Sequence, residues 1–109
     1  MNIIFIGGGN MATAILAGLA PTGRYTLSVV EPDTTKCSQL AAAYGVTALN
    51  HAPTAFAATD TVVLAVKPQQ LRAVCQALAP ALNGALVVSI AAGVGVALLA
   101  DWLGGHGRV

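Results

Sequence analysis

Gly7, Gly9 and Ala12 fall at G-x-G-x-x-A spacing, and an acid, Glu31, follows about 20 residues beyond Gly9. Small residues at these positions act through the groups they lack. Gly7 permits a tight turn, and Gly9 has no Cβ, so a pyrophosphate can lie against the backbone. Ala12 is small enough for a helix to close on a strand. Backbone N–H groups at a helix start carry partial positive charge and suit phosphate. An acid at the end of the next strand would accept a bond from a ribose 2′-hydroxyl and repel a 2′-phosphate. Thr34, Thr35 and Lys36 lie just beyond it and could meet such a phosphate if Glu31 turned away. A glycine turn alone is a weak signal, found in many α/β proteins. Here it follows a strand pattern, opens a helix pattern and is followed by the acid, which together point to dinucleotide binding.

The elements around these residues follow from hydrophobic patterning. Ile3, Ile4, Phe5 and Ile6 form an unbroken apolar run, as in a strand buried on both faces. Met11, Ala12, Ala14, Ile15, Leu16 and Leu19 recur at helical spacing, so a first helix is expected over 10–20, stopping at Pro21. A second strand over 25–30 carries Glu31 at its carboxyl end. Asp33 suits the N-cap of the second helix and Gly45 its C′ position. A short third strand covers 46–49, and residues 53–58 are expected to form one or two helical turns. A fourth strand over 61–66 leads to Pro68 in the first turn of a third helix, with Leu71, Val74, Cys75 and Leu78 as its apolar stripe. A fifth strand over 86–90 and a last helix over 96–103 complete the pattern, and residues 108–109 read as the entry to a sixth strand. Alternating strands and helices predict an α/β fold with a doubly wound parallel sheet of Rossmann type, truncated before the sixth strand. The chain is read as one incomplete NAD(P)-binding domain over 1–109. Ligands of such sheets lie beyond the strand carboxyl ends, which here fall at residues 6–11, 30–31, 65–68 and 90–93.

Composition sets the remaining bounds. The 109 residues are 56% hydrophobic and 8% charged with a net charge of +1, too little charge for a nucleic-acid surface or a disordered segment. Residues 74–100 carry no charge, a run long enough to span a bilayer. Pro80, Asn83, Gly84, Ser89, Gly93 and Gly95 interrupt it, so a membrane span is rejected. No basic leader region precedes the glycine triplet, and the cytoplasm is the default. Cys37 and Cys75 lack C-x-x-C pairing and are expected to be reduced and buried. His51 and His106 have no ligand-spaced partners, so no metal is expected.

Three motifs together carry a family resemblance. Phe5-Ile6-Gly7-Gly8-Gly9-Asn10-Met11-Ala12, Val63-Leu64-Ala65-Val66-Lys67-Pro68-Gln69 and Val87-Val88-Ser89-Ile90-Ala91-Ala92-Gly93-Val94 resemble those of pyrroline-5-carboxylate reductases, in that order. Tyr44-Gly45-Val46 and Trp102-Leu103-Gly104 also fit. The resemblance covers essentially this whole chain but only the first part of the family's length. It implies an oxidoreductase of proline biosynthesis, moving a hydride from NADPH or NADH to the imine carbon of 1-pyrroline-5-carboxylate. Carried over, Ile6, Gly7, Gly8, Gly9, Asn10 and Met11 would hold the pyrophosphate, and Asn50 would contact the adenosine ribose region. Ala65, Val66, Lys67 and Pro68 would line the middle and nicotinamide end of the cofactor, and Ile90, Ala91, Ala92 and Gly93 would lie under the nicotinamide. The family continues into a Met-Pro-Asn-Thr-Pro-like segment and a helical domain that dimerises and builds much of the substrate pocket, both absent here. The full-length protein is therefore expected to be a homo-oligomer, while the isolated chain should bind dinucleotide weakly and catalyse little or nothing. Gly95 replaces a frequent hydroxyl cap of the last helix, which should fray its start.

Two alternatives stand beside this reading. One is another dehydrogenase of hydroxyisobutyrate or prephenate type, against which the Gly-Gly-Gly-Asn-Met-Ala and Val-Lys-Pro-Gln stretches speak. The other is a non-catalytic dinucleotide-sensing module, which would need an output element not visible here. Among single residues, Lys67 is a candidate general acid, set against the commoner role of a solvated turn lysine. Asn10 suits a phosphate contact or a helix cap. Met11, Trp102, Tyr25 and Tyr44 read as packing, Asp60 as a strand start and Arg24 as a solvated turn residue.

Overall fold

A computed structural model of the chain describes residues 2–53, 55–89 and 102. Five strands, β1 (Asn2–Ile6), β2 (Thr26–Val30), β3 (Thr47–Leu49), β4 (Thr61–Leu64) and β5 (Leu86–Ser89), form one sheet in the order β3-β2-β1-β4-β5. Every pairing is parallel, with Ile4 opposite Ser28 on one side and Val62 on the other. β1 is central, and the strand order reverses between β1 and β4, where a crevice opens at the carboxyl ends of a doubly wound sheet. Among the described residues, α1 (Asn10–Leu19), α2 (Thr34–Tyr44) and α3 (Pro68–Leu78) connect strands.

Alternation along each strand divides the interior into two layers. Ile3, Phe5, Leu27, Val29 and Val63 point to one face, where Ala12 and Leu16 of α1 and Leu40 of α2 pack on them. Ile4, Ile6, Val30, Val62, Leu64 and Val87 point to the other, covered by Leu71, Cys75 and Leu78 of α3. Ala12 is fully buried at the contact between α1 and the sheet. The apolar stripe expected for α3 is the one that packs, with Val74 at its half-buried margin.

Helix ends follow their local chemistry. The α1 pattern runs into a 3-10 turn over Ala20–Thr22 that contains Pro21, and Gly23 closes it with φ +64°. Asp33 caps α2 by accepting from the Thr35 N–H (2.9 Å) and the Lys36 N–H (3.3 Å). Gly45 ends that helix in the left-handed region at φ +67°. A 3-10 turn over Ala79–Ala81 ends α3, and the chain turns at Asn83 and Gly84, both with positive φ.

One expectation is corrected. The helical turns expected within 53–58 are not seen among its described residues, because their backbone groups are engaged elsewhere. The Phe56 N–H donates to the Ala81 carbonyl (2.7 Å), and the Phe56 carbonyl accepts from the Asn83 amide (3.1 Å). The Ala57 N–H donates to Asp60 Oδ2 (2.9 Å), so Asp60 orders the turn before β4. Phe56 is thereby inserted into the α3-side layer, 4% exposed. Both cysteines are free and buried. Trp102 packs half-buried on the α3-side layer. The helix expected over 96–103 lies otherwise outside the described residues, as does the strand entry at 108–109.

Candidate functional site

The glycine loop leaves β1 under tight backbone control. The Gly7 N–H donates to the Val30 carbonyl (2.8 Å), and the Ala65 N–H donates to the Ile6 carbonyl (2.9 Å). The sheet ladder thus continues past the strand ends on both sides of the loop. Gly7 has φ +101°, and a Cβ there would lie 2.8 Å from the Ala65 carbonyl oxygen. Only glycine fits that turn without strain.

Gly9 is different. Its backbone is extended, it precedes α1 as N-cap, and a Cβ built on it meets nothing within 4 Å. Open space therefore lies directly against this backbone. Because Gly9 has no side chain, none caps α1, and the helix has no acid in its first turn. The Gly9 carbonyl accepts from both the N–H and the hydroxyl of Thr13, at 2.9 Å each. Asn10 and Met11 supply the first backbone of the helix.

Glu31 stands at the carboxyl end of β2 with its side chain turned toward the loop. Oε2 accepts from the Gly8 N–H (2.9 Å) and Oε1 from the Asp33 N–H (3.3 Å). A Cβ on Gly8 would lie 3.1 Å from Oε2 and 3.0 Å from Leu40 Cδ1, so glycine at this position makes room for the carboxylate. The Glu31 backbone is held from beneath. Its N–H donates to the Leu49 carbonyl (2.8 Å), and its carbonyl accepts from the Cys37 thiol (3.1 Å).

These groups border a cleft of about 630 Å³ across the β1–β4 switch point. Its walls are Ile6, Gly7, Gly8 and Gly9 on one side and Ala65, Val66 and Lys67 on another, with Val30, Glu31, Pro32 and Lys36 at the β2 end. Gln69, Gln70, Ala73 and Val74 of α3 close it. The volume falls within the range usual for small-molecule and cofactor sites. Eight of the residues assigned to the cofactor from sequence meet here, Ile6, Gly7, Gly8, Gly9, Glu31, Ala65, Val66 and Lys67, together with Lys36. Pro68 opens α3 next to them. Lys67 is exposed and serves as the backbone N-cap of α3, with no capping bond from its side chain.

Asn50 does not form part of this wall. It follows β3, and its amide makes long contacts of 3.5 Å to the Glu31 carbonyl and to Thr34 Oγ1. Ile90, Ala91, Ala92 and Gly93 lie outside the described residues. None of the α3 wall was assigned to the site from sequence, although Gln69 stood in the second family motif and Val74 in the expected apolar stripe. Its signal was a second helical stripe, Gln69, Gln70, Ala73 and Val74, beside the core stripe. No group of three His, Cys, Asp or Glu gathers as a metal site among the described residues, and no described helix is long and apolar enough to cross a membrane.

Against known proteins, residues 2–93 match the model of a family described as NADP oxidoreductase, coenzyme F420-dependent. The chain belongs to this family. Among curated relatives, the pyrroline-5-carboxylate reductase of Pseudomonas aeruginosa is 43% identical over 105 residues, covering 94% of this chain. That of Pasteurella multocida is 42% identical over 105 residues, covering 90% of this chain. The match takes in 38% of each relative, so the chain spans about two fifths of their length. Of solved structures, a pyrroline-5-carboxylate reductase from Coxiella burnetii superposes with a TM-score of 0.84 at 38% identity, over 94% of this chain and 40% of that one. Prephenate dehydrogenase from A. aeolicus superposes with a TM-score of 0.79 over 97% of this chain and 39% of that one. At 17% identity this second likeness is one of fold alone. The oxidoreductase family and the Rossmann sheet are thus both in place.

Proposed function

We propose that this chain supplies the dinucleotide site of a pyrroline-5-carboxylate reductase, an enzyme that reduces 1-pyrroline-5-carboxylate to L-proline. The observation that carries this is 43% identity to such a reductase across 94% of the chain. The residues fit an NAD(P)H cofactor on one structural point above all. The space that a Cβ on Gly9 would enter is open, at the start of a helix with no side-chain cap. When bound, the reduced nicotinamide supplies the hydride for the C=N carbon.

The chain's own residues bind and orient. The loop from Ile6 to Gly9, with Asn10 and Met11 at the helix start, would take the pyrophosphate on backbone N–H groups. Glu31 would take the adenosine ribose, with Asn50 behind it. Ala65, Val66, Lys67 and Pro68 would flank the middle of the cofactor, and Ile90, Ala91, Ala92 and Gly93 its nicotinamide end. Positioning of this kind lowers the barrier by fixing the reacting groups in line. Lys67, exposed on the rim, suits a phosphate-facing or water-facing cation better than a shielded proton donor. The domain reading over 1–109, a homo-oligomeric full-length enzyme and a cytoplasmic setting belong to the same proposal.

The test is reductase assay of the gene's full product with 1-pyrroline-5-carboxylate and each reduced nicotinamide nucleotide. Proline formation with matching loss of the reduced-nicotinamide absorbance supports the reading. Dinucleotide binding without turnover of this imine would leave a different substrate or a sensing role.

A further inference from the structure

We infer that the cleft selects nucleotides with a free ribose 2′-hydroxyl, so that NADH is preferred over NADPH, and that Glu31 determines the choice. This rests on the dinucleotide reading of the cleft and goes beyond it, since the matched family is described by NADP. An acid at a strand end discriminates only if its carboxylate stays in the site. An unanchored one can swing to solvent and let a phosphate in.

Glu31 is anchored at both ends. Its backbone is tied to β3 through Leu49, and its carboxylate is held by the N–H groups of Gly8 and Asp33 from the two loops that flank it. A carboxylate has about four acceptor positions. Two are used by these amides, which leaves two for the vicinal hydroxyls of a ribose, both donors. A ribose 2′-phosphate reverses each term. It brings acceptors in place of a donor and up to two further negative charges. Turning Glu31 away to admit it would break the Gly8 and Asp33 bonds. The cations of the cleft are Lys36 and Lys67, and Lys36 lies at the Glu31 end. Lys36 is exposed and sits on the first turn of α2. It moderates the repulsion of a phosphate without removing the carboxylate.

Calorimetric titration of the full gene product with NADH and with NADPH tests this. The expected result is an NADH Kd at least about tenfold below that of NADPH, a difference of 1.4 kcal/mol. Glu31→Gln keeps the shape and an acceptor for the Gly8 N–H, so its fold should persist. It should raise NADPH affinity about tenfold and leave NADH within a few-fold. Glu31→Ser, with space for the phosphate, should go further in the same direction, and Lys36→Ala in that background should reverse the gain. NADPH binding as tightly as NADH to the unaltered protein would overturn the inference, as would an unchanged ratio in both Glu31 variants. Binding of neither nucleotide would overturn the dinucleotide reading itself, and the selectivity with it.

Discussion

Gly7 and Gly9 sit two positions apart and need glycine for opposite reasons. At Gly7 the fold demands it, because a side chain would meet the Ala65 carbonyl at a backbone φ of +101°. At Gly9 the fold does not, since a Cβ would enter open space. Gly7→Ala should therefore lower stability by about 1–3 kcal/mol in denaturant titration. Gly9→Ala should leave the unfolding midpoint nearly unchanged while weakening dinucleotide binding at least about tenfold. Cys75 provides a pH test. Its thiol is fully buried beneath α3, and that burial pushes its pKa above the ordinary thiol value. A thiol that holds its proton more tightly when folded adds stability below its unfolded pKa, and this is lost as pH rises through the folded value. The stability advantage of the native chain over Cys75→Ala should thus shrink in alkaline solution, read from urea midpoints taken at neutral pH and above the thiol range. At this scale the spacing of Gly7, Gly9, Ala12 and Glu31 was legible in the sequence. The direction of the Glu31 carboxylate was not, because it depends on a backbone N–H of Gly8 brought near by the fold. The same is true of Asn50, whose amide turns toward the Glu31 carbonyl and the Thr34 hydroxyl and does not line the cleft.

Helix ends were the most readable elements, because their signals are local. Asp33, Pro68 and Gly45 each fall where their side-chain or backbone chemistry requires. Asp33 caps two amides of α2 and positions the first turn that bears Lys36. Asp33→Ala should cost about 1 kcal/mol of stability, measured by thermal or urea unfolding, with Asp33→Asn recovering most of it. The stretch before β4 was misread for the converse reason. Nothing local in residues 53–58 announces that Ala81, Asn83 and Asp60 will take up their backbone groups. Long-range partners outweigh a modest helix preference. The α3 wall of the cleft was likewise hidden, since Gln69, Gln70 and Ala73 look like an ordinary solvated face until β4 and β1 are placed beneath them.

For the whole molecule, the sheet separates two apolar layers, one under α1 and α2 and the other under α3. Phe5 is fully buried in the layer under α1 and α2, and Leu71 in the layer under α3. Phe5→Ala should destabilise by about 3–5 kcal/mol and Leu71→Ala by about 2–5 kcal/mol. Because the two residues occupy separate layers, a double variant should lose close to the sum, checked by chemical denaturation. The parallel sheet was legible from unbroken apolar runs and from the alternation of strands with helices, while the strand order came only with the fold.

That strand order has a consequence for how the molecule is made. β1 is central in space yet is synthesised before both of its neighbours, β2 and β4. It can pair with β2 soon afterwards, but its other neighbour, β4, in which Thr61 lies opposite Ile3, emerges only after α2 and β3. Until then one edge of the most apolar strand stays open to other chains. The cleft, which needs both the glycine loop and the segment after β4, closes late in synthesis. Slowed translation between the codons for β3 and β4 would lengthen that exposure, so this span is where the nascent protein is most vulnerable to mispairing and most in need of a chaperone.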